Sequence, residues 1–232
     1  MNSRKSTARW IGVLYLVMGA CAVIDLTYFP TRFLVPRDPS ATAARIESAK
    51  SLYRLCVLTD LTSGALNVLL AVTLYQFFKD VDRRWARLLI AVLLVQVPMY
   101  FAIMLIQIAP LVVLSGTTYS SAFNKTQLDA LAYGLLNWRE NAVVALSIYW
   151  GLWLLPIAVL AYRSKFLPRL LGVVVGIAAV AYVMTALVWF IAPAMHAKAF
   201  WLASPIYGLG EISFILYLLI KGVRTDAEPH SA

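Results

Sequence analysis

Charged side chains are scarce in this sequence. Only 13% of its 232 residues are charged and 62% are hydrophobic, which gives a mean hydropathy of +0.78. A soluble domain has roughly a quarter of its residues charged and about half apolar. The composition therefore excludes an ordinary soluble protein and predicts an integral membrane protein, whose main partner is the lipid bilayer.

Cysteine and histidine are also rare, and this excludes most kinds of metal site. The two cysteines, Cys21 and Cys56, both lie within apolar runs, so neither a disulfide framework nor a metal motif is indicated. Of the two histidines, His196 stands alone in a predicted loop and His230 lies in the polar tail. One loop histidine cannot build a zinc site, so we expect no metal and no cofactor.

The motifs of common enzyme classes are missing as well. The sequence has no HExxH pair and no glycine-rich phosphate loop. Ser115, Ser120 and Ser121 have no evident base beside them, so a serine hydrolase is not indicated. No catalytic residue is predicted, and the sequence favours a protein that is not an enzyme.

The net charge of +9 would suggest a nucleic-acid partner in a soluble chain. Here, however, lysines and arginines cluster at the ends of apolar runs, as insertion topology and lipid head groups require, so we expect no nucleic acid. Twelve of them lie on the side of the N-terminus and eight on the other side. This bias predicts that both termini are cytoplasmic.

The apolar runs predict an all-α integral membrane protein, a six-helix transmembrane bundle. The spans are expected at about 10–29, 52–78, 85–110, 141–162, 170–193 and 201–221. They are predicted to form one domain over residues 1–224, and residues 225–232 form a polar tail. The sequence does not indicate an oligomeric state.

Short interfacial helices are predicted in the first and third loops. In the first, Asp38 followed by Pro39 is a typical helix start, with the acid as N-cap. In the third, residues 125–140 have an apolar stripe at helical spacing. That segment fits either an interfacial helix or an extension of the fourth span.

The second span is unusual because it carries an acid within an apolar helix. At about 100° per residue, Cys56, Asp60, Asn67 and Ala71 fall on one stripe of small and polar side chains. Such a stripe faces protein or trapped water rather than lipid. Glu211 lies about ten residues into the sixth span on a similar stripe with Tyr207.

These residues predict a polar pocket in the outer half of the bundle that binds or moves a small polar ligand, an ion or a lipid head group. An ionisable residue within a membrane indicates such a site by default, because its insertion costs free energy. Arg54 and Arg139 are the predicted counter-ions. The predicted ligand-binding residues are Asp25, Arg54, Asp60, Asn67, Gln96, Tyr100, Arg139, Glu140, Tyr207 and Glu211.

Two alternatives stay open. The buried charges can form a network that only stabilises helix packing, which would make the chain a structural or partner-binding subunit.

Arg139 and Glu140, which are adjacent and predicted to point apart, also fit surface charges at a helix start. Arg54 and Asp60 are separated by about 120° around their helix, so any partner of Asp60 must come from another helix. A lipid-modifying enzyme has the least support.

Three stretches resemble a known family: ARWIGVLYL at 8–16, ATAARIES with SLYRLCVLTDL at 41–61, and GEISFILYLLIKGV at 210–223. Together they are similar to the bacterial membrane proteins grouped as domain of unknown function 4386, over residues 9–223. Where that family commonly has AANI, this chain has AARI at 43–46. The resemblance implies a multi-helix protein of the bacterial inner membrane, and it implies no particular activity.

Overall fold

A computed structural model describes residues 2–116 and 120–224, and within these ranges the chain is helical and has no strand. A π-helical turn, Ile24–Tyr28, joins the first two α-helices, and a 3-10 turn, Ser120–Ala122, precedes the sixth. The predicted tail at 225–232, with His230, lies outside the described residues. The α-helices are α1 Asn2–Val23, α2 Phe29–Phe33, α3 Pro39–Ser48, α4 Lys50–Phe78, α5 Arg83–Val113, α6 Lys125–Arg163, α7 Arg169–Ile191 and α8 Pro193–Ile220.

Six helical stretches of the described chain are long and apolar enough to cross a membrane, which confirms the predicted number of spans. The first combines α1, the π turn and α2, and the others are α4, α5, α6, α7 and α8. Large apolar side chains along them are exposed, among them Ile191 at 81% and Trp201 at 74%. Exposed apolar surface on this scale would aggregate in water and is covered by lipid in a bilayer. The chain is an integral membrane protein.

Two helices extend further than the spans predicted from the sequence. Residues 125–140 are not a separate helix, because α6 runs without a break from Lys125 to Arg163. Likewise, α8 begins at Pro193, so His196 lies in its first turns rather than in a loop. A proline at the first turn is compatible with a helix, since its missing N–H has no partner there in any case.

The helix predicted in the first loop is present as α3. The Asp38 carboxylate accepts a hydrogen bond of 2.9 Å from the backbone N–H of Ala41, and Pro39 occupies the first turn. This confirms Asp38 as the N-cap. Arg45, which replaces the asparagine common in the similar family, donates to the carbonyl oxygen of Thr31 at 3.2 Å. It therefore fixes α3 to the end of α2.

The described chain divides into two compact units. Within the described residues, unit 1 comprises 2–16, 66–96 and 144–224, and unit 2 comprises 17–65, 97–116 and 120–143. That all six spans form one domain stays a prediction.

In unit 1, glycines allow helix backbones to approach closely. A Cβ at Gly151 on α6 would lie 2.6 Å from the carbonyl oxygen of Ala179 on α7. A Cβ at Gly172 on α7 would lie 2.7 Å from the carbonyl oxygen of Ala158 on α6. The two contacts pair α6 and α7 in antiparallel directions. Close approach at small residues is what drives helix association in membranes, where the hydrophobic effect between helices is weak.

Unit 2 has an aromatic core next to the π turn. Phe29 and Phe33 of α2 pack edge-on against Tyr53 of α4, with ring centroids 5.0 Å and 4.8 Å apart. All three side chains are buried, together with Ile46 of α3. These contacts fix the end of the first span against α3 and α4.

The turn between α4 and α5 is held by Asp82. Its carboxylate accepts hydrogen bonds from the backbone N–H groups of Arg84 at 3.0 Å and Trp85 at 3.3 Å, and from the guanidinium of Arg163 at 2.5 Å. These hydrogen bonds hold the pKa of Asp82 below its ordinary value, and the largest effect comes from the backbone N–H of Trp85. Asp82 therefore caps α5 and ties its start to the end of α6.

We expect Gly151→Ala to destabilise the protein by about 1–3 kcal/mol, because the new methyl group meets a backbone carbonyl that cannot rotate away. Gly134→Ala is the matched control in the same helix, since no atom lies within 4 Å of a Cβ there. Thermal unfolding of both variants in detergent measures the difference. Equal melting temperatures for the two variants would contradict the close α6–α7 approach.

We expect the stabilising effect of Asp82 to depend on pH. Its pKa is lower in the folded state, so its contribution is fully present above the unfolded pKa of about 4 and is lost as the pH falls through the lower folded value. The difference in melting temperature between the wild type and Asp82→Ala should therefore shrink between pH 5 and pH 3. Asp80→Ala changes an exposed acid of the same turn and should show little difference at any pH.

Candidate functional site

The most unusual side chain in unit 2 is Arg139, which is fully buried on α6. Nη2 of its guanidinium forms an ion pair with the carboxylate of Asp25. Nη1 forms a second ion pair, with Glu140, at 2.6 Å. The carbon of the guanidinium also lies 5.0 Å from the centre of the Phe29 ring. A buried cation needs such partners, because its desolvation costs several kcal/mol. The alternative in which Arg139 and Glu140 are surface charges pointing apart is therefore wrong.

Asp25 reaches Arg139 from the π-helical turn in the first span. The turn Ile24–Tyr28 has i→i+5 hydrogen bonds, and Asp25 within it is buried. Such turns are rare and are often found at functional positions, since they change the direction in which a side chain points. Pro30, just after the turn, has no N–H to offer to a regular α-helix. The local sequence thus accounts for a helical irregularity next to Asp25.

Asp60 adds a third acid to the same group. One of its carboxylate oxygens lies 4.0 Å from Nη2 of Arg139. We call Asp25, Asp60, Arg139 and Glu140 the arginine–carboxylate cluster. It contains three acids and one base, so it carries an excess of two negative charges when every group is ionised. As the sequence predicted, the partner of Asp60 comes from another helix.

Two residues that were not predicted to belong to the site, Gln107 and Tyr53, also form hydrogen bonds within it. Gln107 on α5 is fully buried, and its amide nitrogen donates to Asp25 at 3.4 Å. Tyr53 donates from its hydroxyl to the backbone carbonyl of Gln107 at 2.5 Å. Gln107 shares a helical face with the predicted residues Gln96 and Tyr100. That periodicity was the signal that could have identified it.

Two polar atoms of this group have no hydrogen-bond partner among the described residues. They are the amide oxygen of Gln107 and the Nε of Arg139, and both are buried. Because a buried polar atom without a partner costs about 1–3 kcal/mol, such an atom needs an explanation. One is an acceptor and the other a donor, so each can take part in binding a polar molecule.

Glu211 lies in unit 1 and is bound quite differently. Its two carboxylate oxygens accept hydrogen bonds from the hydroxyls of Tyr15 at 2.5 Å and Tyr182 at 2.6 Å. In the described part of the chain no lysine, arginine or histidine forms an ion pair with it. The ring of Tyr182 stacks on that of Tyr207, with centroids 3.9 Å apart. Two neutral tyrosine hydroxyls therefore stabilise this acid by hydrogen bonding, whereas Asp25 is stabilised by an ion pair with an arginine.

The remaining predicted site residues are divided between the units. Arg54 is exposed on α4 and takes part in no ion pair of the described residues, so it does not act as a counter-ion there. Its position, about 120° from Asp60 around the helix, explains why. Tyr100 is half-buried in unit 2. In unit 1, Asn67 and Gln96 are buried and each has an amide oxygen without a partner in the described chain, while Tyr207 donates to Thr185 at 2.5 Å.

The described residues contain no group of three or more histidine, cysteine, aspartate or glutamate side chains arranged to hold a metal ion. The three acids of the cluster are arranged around a guanidinium. Chemically, the cluster offers carboxylate oxygens, one buried amide oxygen and one buried N–H.

A family model described as "Domain of unknown function (DUF4386)" matches residues 10–222, which is nearly the whole chain. No curated protein and no solved structure matches the sequence. The match confirms the resemblance found in the three sequence stretches above, and it supports the fold class without adding an activity.

We expect Asp25→Asn to destabilise the protein far more than Asp60→Asn. Asp25 is the close partner of a fully buried guanidinium, and loss of one member of a buried ion pair costs about 3–5 kcal/mol. Asp60 lies at the limit of ion-pair distance, and its removal also relieves repulsion between acids. Thermal unfolding in detergent at pH 7 compares the two variants. If Asp60→Asn is the more damaging, the close pairing of Arg139 with Asp25 is not the main restraint.

Proposed function

The chain belongs to the family described as domain of unknown function (DUF4386), and we propose that it binds a small cation at the arginine–carboxylate cluster. The ligand class is an ammonium group, a monovalent cation that donates hydrogen bonds and competes with protons for the carboxylates. One observation carries the proposal: three carboxylates surround a single buried guanidinium.

The excess of acid favours a cationic ligand over an anionic one. A single ion near the middle of a membrane costs roughly 2.5–3.5 kcal/mol on insertion scales. Arg139 can neutralise one of the three acids, and the other two must take up a proton, bind a cation or be solvated. A bound cation provides this neutralisation, whereas an anion would add to the repulsion.

The burial of the four side chains suggests which of them meet the ligand. The side chains of Arg139 and Asp25 are 0% and 11% exposed, so this pair is the fixed part of the cluster. The side chains of Asp60 and Glu140 are 17% and 34% exposed. We infer that Asp60 and Glu140 bind the cation and that the Arg139–Asp25 pair holds them in place.

The unpartnered amide oxygen of Gln107 supports a ligand that donates hydrogen bonds. It lies beside Asp25, to which the other end of the same amide donates. An ammonium group can donate a hydrogen bond to it. Such a cation needs oxygen acceptors that carry excess negative charge.

One observation favours the structural alternative. Arg139 is completely buried and has three kinds of partner, namely acids, a backbone carbonyl and an aromatic ring. A network of this kind can serve only to fix helix packing. In that case the chain is a structural or partner-binding membrane subunit, and Asp60 and Glu140 bind nothing.

Location and the other predicted residues follow as parts of the proposal. The distribution of lysine and arginine supports cytoplasmic termini, and the family resemblance supports the inner membrane of a bacterium. Glu211, Tyr207, Asn67 and Gln96 stay predicted ligand-binding residues of unit 1. Cation binding at the cluster does not depend on them.

The test is the melting temperature of the purified full chain in detergent with increasing ammonium chloride. N-methylglucamine chloride, a bulky cation, keeps the ionic strength constant. A ligand at 100 times its Kd should stabilise the folded state by about 2.7 kcal/mol, and lowering the pH from 8 to 6 should weaken the effect because protons compete. We expect Asp60→Asn and Glu140→Gln to fold and to lose this stabilisation.

Glu47→Gln is the control, because it removes an acid of unit 2 that lies outside the cluster. It should respond to cations as the wild type does. If both cluster variants keep the full response, or if the wild type shows none at either pH, cation binding here is wrong. Variants that are merely less stable under every condition would support the structural alternative.

A further inference from the structure

Positively charged residues from two separate parts of unit 1 meet around one loop. The loop between α6 and α7 contains Phe166, which is buried against Phe77 of α4 at a centroid distance of 5.1 Å. The guanidinium of Arg4, near the start of α1, lies 5.0 Å from the centre of the Phe166 ring. The backbone N–H of Arg224, beyond the end of α8, donates to the carbonyl oxygen of Phe166 at 2.9 Å. Residues 4 and 224 thus contact the same residue, Arg4 through the ring of Phe166 and Arg224 through its backbone carbonyl.

The chain ends are held together by a further contact. Gly222 has a φ of +74° and lies so close to Lys5 that a Cβ there would be 2.9 Å from the side chain of that lysine. A glycine is needed for both reasons, since the conformation and the space are unsuited to other residues. Lys5 therefore lies next to Arg4 and to the end of α8, and the three cations belong to one surface.

The turn between α4 and α5 belongs to the same end of unit 1, because Asp82 is bonded to Arg163 at the end of α6. We define the basic surface as the lysines and arginines of four segments, 4–9, 79–87, 163–169 and 221–224. The four segments contain twelve lysines and arginines and two acids, Asp80 and Asp82. The net charge of the four segments is therefore +10 when every group is ionised.

Unit 2 does not share this imbalance. Residues 17–65 and 97–143 contain seven lysines and arginines and six acids. The net charge of +9 of the chain therefore arises from one end of unit 1. Like charges held close together raise the free energy of the fold unless anions lie among them, and of the two acids Asp82 already pairs with Arg163.

Three of the four segments border exposed apolar side chains. Arg9 precedes Trp10, Arg169 precedes Leu170 and Lys221 follows Ile220, and these apolar neighbours are 54%, 72% and 64% exposed. A ligand that fits this arrangement has an anionic head and a long apolar part. A free inorganic anion would contact the cations but not the exposed apolar side chains beside them.

From this juxtaposition we propose that the basic surface binds the head group of an anionic phospholipid at the Phe166 loop. Arg4 and Arg224 contact the phosphate, and the acyl chains lie along the exposed apolar side chains next to the cations. Basic residues attract anionic lipid by charge, and arginine adds paired hydrogen bonds to phosphate oxygens. This site is independent of the arginine–carboxylate cluster, which belongs to unit 2.

The test compares binding of phosphatidylglycerol and phosphatidylcholine to the purified full chain in detergent, followed by native mass spectrometry and by melting temperature. We expect phosphatidylglycerol to bind and to raise the melting temperature more than phosphatidylcholine does. In Arg4→Gln/Arg224→Gln, its binding should weaken by about tenfold or more. Lys50→Gln/Arg54→Gln is the matched control, because it removes two exposed charges from unit 2 and should bind as the wild type does.

Two further measurements keep the result decisive. Arg4→Lys/Arg224→Lys retains the charges and should retain most of the binding, even if the glutamine variant folds poorly. Inorganic phosphate at the same concentration should give little stabilisation. The proposal is overturned if the two lipids bind equally, if the control pair loses as much binding as the test pair, or if phosphate replaces the lipid completely.

Discussion

The organisation of unit 2 depends on one buried guanidinium. Arg139 has no exposed surface, and in a membrane protein such a charge persists only if other helices bring partners to it. The first span contributes Asp25 from its π turn, α4 contributes Asp60, and α5 contributes Gln107, which bonds to Asp25. The aromatic contacts of Phe29, Phe33 and Tyr53 pack these elements together, and the planar guanidinium adds directed N–H groups that restrict their orientation further.

The surroundings of this guanidinium have two opposite effects on the stability of unit 2. Its ion pair with Asp25 stabilises packing, while the additional acids Asp60 and Glu140 outnumber the single base. Each surplus carboxylate raises the cost of folding unless it takes up a proton or a cation. Unit 1 handles its acid differently: Glu211 is bound by two tyrosine hydroxyls. The two units thus use different means to keep a carboxylate in an apolar environment.

Much of the fold could be predicted from the sequence. Six long apolar runs, the N-cap at Asp38 and the acid within the second span all follow from composition and periodicity, and the structure contains each of them. The sequence predicted Arg139 as a counter-ion but left open whether it is exposed, because neighbouring charges at a helix start are usually exposed and its burial depends on the full length of α6. Tyr15 and Tyr182 gave no signal either, since a tyrosine in an apolar span has the same pattern whether it faces lipid or a carboxylate.

The π turn in the first span has a consequence for the pattern of the whole helix. It is equivalent to one residue inserted into a regular α-helix. Side chains before and after it therefore follow two separate angular series, offset by about 100°. No single helical wheel describes the chain from Asn2 to Phe33, so faces assigned by counting from the start become wrong beyond Tyr28. For this segment the number of residues between Val23 and Phe29 matters more than the identity of most of them, and deletion of one would redirect every side chain on one side of the turn.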